Sequence, residues 1–217
     1  MLKPLGECRL YTFVDTAYLH GRTPDTVAQQ LCDGGSDIIQ LRAKHSSLQD
    51  VRRMAETILP ITRRSGIPLV INDHLSLARE LGAACCHLGQ EDFFADGVTQ
   101  VSALNTRAIS GTKVAIGIST HSPHQAARAL AAGPDYVAIG PVYQTATKPT
   151  AQPVTLDYVR WAAANVTIPW FAIGGINLTT LDEVLAAGAR RICVVSAILN
   201  SSEIATACHQ FKRRLPK

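Results

Sequence analysis

The feature that most narrows what this chain can fold into is an alternation repeated eight times. Short apolar or β-branched runs stand at residues 9–14, 37–41, 68–71, 84–88, 113–118, 136–139, 169–173 and 191–195, each the length of a buried strand. Between them, residues 25–32, 48–64, 75–81, 122–132, 156–164, 179–187 and 202–212 carry apolar positions at helical spacing. Strand then helix, unit after unit, predicts a parallel sheet, because parallel neighbours need a long crossover and a helix is the usual one. The punctuation keeps the same phase: Asp33-Gly34-Gly35-Ser36-Asp37, Leu81-Gly82-Ala83, Ala131-Ala132-Gly133-Pro134-Asp135 and Ala186-Ala187-Gly188-Ala189 each close a helix just before a strand.

Eight such units in 217 residues leave no room for a second core. The expectation is an α/β protein, a (β/α)8 TIM barrel in a single domain spanning residues 1–217. An open, doubly wound sheet is the alternative, but no GxGxxG follows the first strand to favour a dinucleotide-binding version. The stretch 93–112 fits the alternation least, and a helix over 101–109 is the expectation there.

Composition excludes several function classes. With 47% hydrophobic and 18% charged residues the chain is globular, and its net charge of +4 is small and spread out. That suits an anionic small molecule better than a nucleic-acid track, which calls for a concentrated basic stripe. Six cysteines without a CxxC pair predict reduced, buried thiols. Neither a leader-like segment nor an apolar run of membrane length is visible, so the expectation is a cytoplasmic protein without nucleic-acid or membrane partners.

In a (β/α)8 barrel the chemistry gathers at the C-terminal ends of the strands. The polar residues at those ends are Gln40, Arg42 and Lys44; Asn72 and Asp73; Gln90, Glu91 and Asp92; Ser119 and His121; Thr145, Thr147 and Lys148; Gly174 and Gly175; and Val195 with Ser196. Asp73 and Asp92 suit a hard divalent cation such as Mg2+, which takes one or two carboxylates and fills its octahedron with water and substrate phosphate. Either carboxylate could equally cap a helix. Arg42, Lys44 and Lys148 supply positive charge to the same mouth, a combination suited to a departing pyrophosphate. The backbone N–H groups around Gly174-Gly175 and Ser196 suit a second, simpler phosphate. A solvated loop for the cations and a tight turn for the glycines are the alternatives taken one residue at a time.

In register along nearly the whole chain, Gln40-Leu41-Arg42-Ala43-Lys44, Ile71-Asn72-Asp73, His87-Leu88-Gly89-Gln90-Glu91-Asp92, Gly117-Ile118-Ser119-Thr120-His121, Gly140-Pro141-Val142-Tyr143-Gln144-Thr145-Ala146-Thr147-Lys148, Ile173-Gly174-Gly175-Ile176 and Val194-Val195-Ser196-Ala197-Ile198 resemble the motif series of the thiamine phosphate synthase family. The resemblance implies a transferase that joins hydroxymethylpyrimidine pyrophosphate to a thiazole phosphate, with Mg2+ as cofactor. It implies that Gln40, Leu41, Arg42, Ala43, Lys44, Asn72, Ser119 and Lys148 hold the pyrimidine pyrophosphate, with Arg42, Ser119 and Lys148 catalytic. Thr145, Ala146, Thr147, Gly175, Val195 and Ser196 would hold the thiazole phosphate, and Asp73 and Asp92 the metal. The partners implied are small molecules, and a homo-oligomer is compatible with the sequence. Phe93-Phe94 departs from the family pattern, and residues 95–112 match it poorly. Two other functions compete: a related thiazole tautomerase, in which His121 would move the proton, and a catalytically silent phosphate-binding barrel. Lys148 and the Asp73/Asp92 pair favour the synthase, because neither rival has pyrophosphate to manage.

Overall fold

The computed structural model describes residues 1–95, 97–104, 106–145 and 152–216. Eight parallel strands close into one barrel in the order of the chain: β1 (Leu10–Asp15), β2 (Ile38–Arg42), β3 (Leu69–Asn72), β4 (Cys85–Gly89), β5 (Ala115–Thr120), β6 (Tyr136–Ile139), β7 (Trp170–Ala172) and β8 (Ile192–Cys193). Each expected strand is present. The helices that return the chain are α1 (Pro24–Asp33), α2 (Leu48–Arg64), α3 (Leu75–Leu81), α4 (Gln90–Ala95), α5 (Pro123–Ala131), α6 (Thr155–Asn165), α7 (Leu181–Ala186), α8 (Ser196–Leu199) and α9 (Ile204–Arg214). Among the described residues no helix is long and apolar enough to cross a membrane.

Local chemistry sets the helix starts. Thr23, Ser47 and Ser122 accept hydrogen bonds from the N–H groups of Thr26, Asp50 and Gln125, satisfying donors that the first helical turn leaves open. Pro24 and Pro123 occupy first positions, where no N–H is needed. The core is the strand layer and what covers it: Val14, Ile39, Cys86, Ile116 and Val137 are buried in one cluster with helix residues such as Leu31, Ile58, Ala126 and Val159, while Tyr11, Tyr136 and Phe171 pack on one another inside the barrel.

One expectation gives way. Residues 101–109 hold one 3-10 turn at Val101–Ala103 and an antiparallel bridge between Arg107 and Lys113, rather than a helix. The apolar spacing of Val101, Leu104 and Ala108 imitates a helix, but the backbone bonds elsewhere. Val101 N–H donates to Ala132 at 2.8 Å, Ile109 N–H to Arg79 at 3.2 Å and Val114 N–H to Thr106 at 2.7 Å. Gln90, Glu91 and Asp92 form the first turn of α4, directly after β4.

The N-terminal face of the barrel is tied down by buried charge. Asp37, just before β2, is 3% exposed, and its carboxylate accepts from Lys3, Lys212 and the N–H groups of Arg9 (2.9 Å) and Leu10 (3.0 Å). Asp135, just before β6, repeats the device more openly, accepting from Ile116 N–H at 2.8 Å and Lys113 Nζ at 2.5 Å. The glycine and aspartate punctuation of the sequence thus marks the ends of helices and the floor of the barrel at once.

Candidate active site

A cavity of about 270 Å³ opens at the C-terminal ends of the strands. Strand alternation decides who enters it, since successive side chains point to opposite faces. Gln40 and Arg42 line it, whereas Leu41 and Ala43 are buried away from it. Lys44, Asn72, Asp73, Asp92, Ser119, Thr145, Gly175, Val195 and Ser196 line it as well. Ala146, Thr147 and Lys148 lie outside the described residues.

The charged residues of the cavity are held in defined ways. Arg42 Nη1 donates to Asp15 Oδ2 at 2.8 Å, and Asp15 is 1% exposed. Asp15 Oδ1 in turn accepts from Ala17 N–H at 3.0 Å, so the carboxylate that orients Arg42 is itself fixed. Asp15 drew no attention in the sequence because it closes an apolar run whose strand it ends. Lys44 Nζ pairs with Asp73 Oδ2 at 2.8 Å, and Asn72 Nδ2 donates to the same oxygen at 2.6 Å. Asp73 adopts a positive φ of 65°, unusual for a residue with a side chain. His74, not Asp73, occupies the cap position of α3, and it makes no side-chain cap bond. The capping alternative for Asp73 therefore fails.

Asp92 hangs back over Gly89: a Cβ at position 89 would stand 2.8 Å from Asp92 Oδ2. Its carboxylate has no hydrogen bond or ion pair among the described residues. Three carboxylates thus line one cavity: Asp73 paired with a lysine, Glu91 accepting from Gln90 Nε2 at 2.8 Å, and Asp92 open among the described residues. No cluster of three or more His, Cys, Asp or Glu residues suited to a metal occurs among the described residues. A pair is nevertheless the donor set that suits Mg2+, which keeps several waters and takes the remaining oxygens from substrate phosphates.

Across the cavity, Gly174 and Gly175 turn with φ of 102° and 66°. A Cβ at Gly174 would lie 2.3 Å from Pro141 Cβ, and one at Gly175 would lie 2.8 Å from the Gln144 carbonyl oxygen. Only glycine fits such a turn. The backbone N–H groups of Gly175, Val195 and Ser196 have no acceptor among the described residues. A row of free N–H groups on a tight turn is a receptor for an anion.

Below the charges the cavity is lined by Phe13, Ala138, Ile173 and Ile176, and by Tyr11, His87 and Cys193. His87 Nδ1 lies 3.2 Å from Tyr136 Oη. Burial raises the Cys193 thiol far above the ordinary range and pushes Cys86 up to about 12. All six cysteines are free thiols, and the one lining the cavity is therefore no nucleophile. The His121 ring is held by Nδ1 against the Gly140 carbonyl oxygen.

A closed (β/α)8 barrel with cations, carboxylates and a glycine anion cradle at one mouth is, by class, a phosphate-handling barrel enzyme. Residues 10–198 match the family model described as thiamine monophosphate synthase. The chain is 44% identical over 183 residues to the thiamine-phosphate synthase of Thermus thermophilus, covering 84% of both chains. It is 36% identical over 208 residues to that of Halalkalibacterium halodurans, covering 95% of both. A solved structure of thiamine phosphate pyrophosphorylase from Pyrococcus furiosus superposes with a TM-score of 0.82 at 25% identity, over 96% of each chain. The chain belongs to the thiamine monophosphate synthase family, and it is a transferase of thiamine biosynthesis.

Proposed function

We propose that this transferase condenses 4-amino-2-methyl-5-hydroxymethylpyrimidine diphosphate with 4-methyl-5-(2-phosphoethyl)thiazole, releasing pyrophosphate and forming thiamine phosphate by an Mg2+-assisted ionisation. The observation that carries the reading is the division of one cavity into two anion sites, Arg42 and Lys44 beside Asp73 and Asp92 on one side and the Gly174-Gly175 turn on the other.

In this scheme Gln40 reads the pyrimidine edge, while Arg42, Lys44, Asn72, Ser119 and Lys148 hold the pyrophosphate. Asp73 and Asp92 hold Mg2+, which neutralises leaving-group charge when bound. Lys44, paired with Asp73 at 2.8 Å, then turns to the phosphate oxygens it is long enough to reach. Thr145, Ala146, Thr147, Gly175, Val195 and Ser196 hold the thiazole phosphate, so that the thiazole nitrogen faces the pyrimidine methylene. The methylene C–O bond breaks and its electron pair leaves with pyrophosphate. The electron-rich aminopyrimidine spreads the resulting positive charge, and the thiazole nitrogen lone pair closes the new C–N bond. Arg42, Ser119 and Lys148 act on the oxygens where negative charge grows, which is where preorganised donors accelerate a reaction. Such a route needs no protein nucleophile, in keeping with the elevated Cys193 thiol. It needs exclusion of water from the cation, and the apolar wall of Phe13, Ala138, Ile173 and Ile176 suits that demand.

Purified protein incubated with both substrates and Mg2+, with thiamine phosphate converted to fluorescent thiochrome, tests the reading. Product is expected. Folded protein that makes none would overturn the synthase reading and turn attention to proton transfer by His121.

A further inference from the structure

Beneath the charged mouth, four polar side chains on four strands form one buried chain. Gln40 Nε2 donates to Tyr11 Oη at 2.6 Å, Tyr11 Oη lies 3.1 Å from Tyr136 Oη, and Tyr136 Oη lies 3.2 Å from His87 Nδ1. Both tyrosines are at most 1% exposed. Their rings cannot turn away: Tyr11 stacks on Phe13 at 5.2 Å and meets Phe171 edge-on at 5.2 Å, and Phe171 meets Tyr136 edge-on at 5.7 Å. The Tyr136 ring fills the space that a side chain at position 117 would need, a Cβ there falling 2.0 Å from its Cζ. The lower polar groups of the cavity are thus as rigid as the core around them.

A glutamine amide presents an oxygen on one side and an NH2 on the other, and the two ends have nearly the same shape. Left free, it turns over and accepts from one ligand as readily as it donates to another. Gln40 is not free, because its nitrogen is committed to Tyr11. Its Oε1 has no protein donor among the described residues and is not among their buried atoms lacking a partner. Turning the amide over would set a carbonyl against Tyr11 Oη. Every bond in the chain would then have to reverse, down to the tautomer of His87. A reversal shared by four groups is far less accessible than the rotation of one amide.

We propose that Tyr11 is a positioning residue that sets substrate specificity: by capturing the Gln40 nitrogen it turns the amide oxygen to the cavity, so the site accepts a pyrimidine bearing an amino group and rejects one bearing a carbonyl at that position. The inference rests on the synthase reading above and adds the origin of its choice between ring edges. An amino group donates to the fixed oxygen. A carbonyl in its place brings two acceptors together in a site with little water, the kind of mismatch that discriminates strongly. Burial raises both tyrosine hydroxyls far above their ordinary values, so each keeps its proton to pass along the chain.

The test compares kcat/KM for the 4-amino pyrimidine diphosphate and its 4-oxo counterpart, with thiazole phosphate and Mg2+, in wild type, Tyr11→Phe and Tyr136→Phe. Wild type is expected to favour the amino substrate. Tyr11→Phe is expected to shrink that preference about tenfold, the worth of one hydrogen bond, by raising kcat/KM for the oxo substrate and lowering it for the amino one. Tyr136→Phe, which leaves Tyr11 in place, should shrink it less. Intrinsic reactivity differs between the substrates but cancels when variants are compared. Tyr11→Phe/Gln40→Glu should recover the preference, because a carboxylate has only acceptors to offer. If Tyr11→Phe instead loses activity equally on both substrates, or keeps the full preference, the hydroxyl is merely structural and the proposal is overturned. Should Tyr11→Phe fail to fold, an unchanged preference in Tyr136→Phe overturns it equally. A wild type that turns over neither substrate removes the synthase reading and this inference with it, a result distinct from a change in preference.

Discussion

The two ends of the barrel use the same residue types in opposite states of completion. At the N-terminal end Asp37 is buried and saturated, taking two lysines and two backbone N–H groups. At the C-terminal end Asp92 has no partner among the described residues, and Asp73 shares its oxygen with one lysine and one amide. Saturation closes off further binding and joins α9, the N-terminal segment and β1 into one unit. Incompletion leaves lone pairs and donors for something else. The comparison teaches that a carboxylate's role is set by how many of its bonds the protein itself supplies.

The largest effect expected on either side comes from emptying the saturated site. Asp37→Ala strands Lys3 and Lys212 and frees two N–H groups, which should cost about 3 kcal/mol, lowering Tm by about 10 °C. Activity per folded molecule should stay near wild type, and a thermal melt run beside the thiochrome assay reads both. The opposite pattern is expected at the other end. Asp92→Ala and Lys148→Ala should each lower kcat by ~10² to 10³, as loss of one charge-stabilising group does, with Tm unchanged. A smaller effect is expected from Gly175→Ala, because a side chain there meets both a φ of 66° and the Gln144 carbonyl oxygen at 2.8 Å, so the turn must shift. The displaced turn should raise KM for the thiazole phosphate about tenfold and leave KM for the pyrimidine diphosphate alone, as steady-state titration of each substrate would show.

The smallest effect concerns pH. Burial alone pushes the Asp37 carboxyl up, but the bonds from Lys212, Lys3 and the Leu10 and Arg9 N–H groups outweigh it and leave it below its ordinary value. A group depressed in the folded state stabilises the fold above its unfolded value, near 3.9 for aspartate, and loses that contribution as pH falls through the lower folded value. Denaturation curves between pH 5 and 2 should therefore flatten in Asp37→Asn relative to wild type.

Much of this contrast was legible in the chain. Short apolar or β-branched runs and glycine stops located all eight strands, and of the residues after them Gln40, Arg42, Lys44, Asn72, Asp73, Asp92, Ser119 and Thr145 line the mouth, where the strands of a barrel end. Strand alternation separates Arg42 from Leu41 within the run Gln40-Leu41-Arg42-Ala43-Lys44, a distinction that a motif read as a block conceals. Residues 101–109 misled because their apolar spacing is satisfied by docking on Ala132 and Arg79 rather than by a helix. Tyr11, Tyr136 and His87 were hidden for a different reason. Each sits inside an apolar run and reads as core, and only closure of the barrel brings the hydroxyls within 3.1 Å of one another. The small residue at 117, opposite Tyr136 in the ladder, is the one local trace of that arrangement.

The measurement that bears most directly on the incomplete end of the barrel is calorimetric titration of pyrophosphate into wild type and Asp92→Asn, each with Mg2+ and with chelator. The expected result is binding to wild type that weakens at least tenfold in chelator, or about 1.4 kcal/mol, while Asp92→Asn binds weakly in both. Equal affinity with and without the metal in wild type would contradict the account.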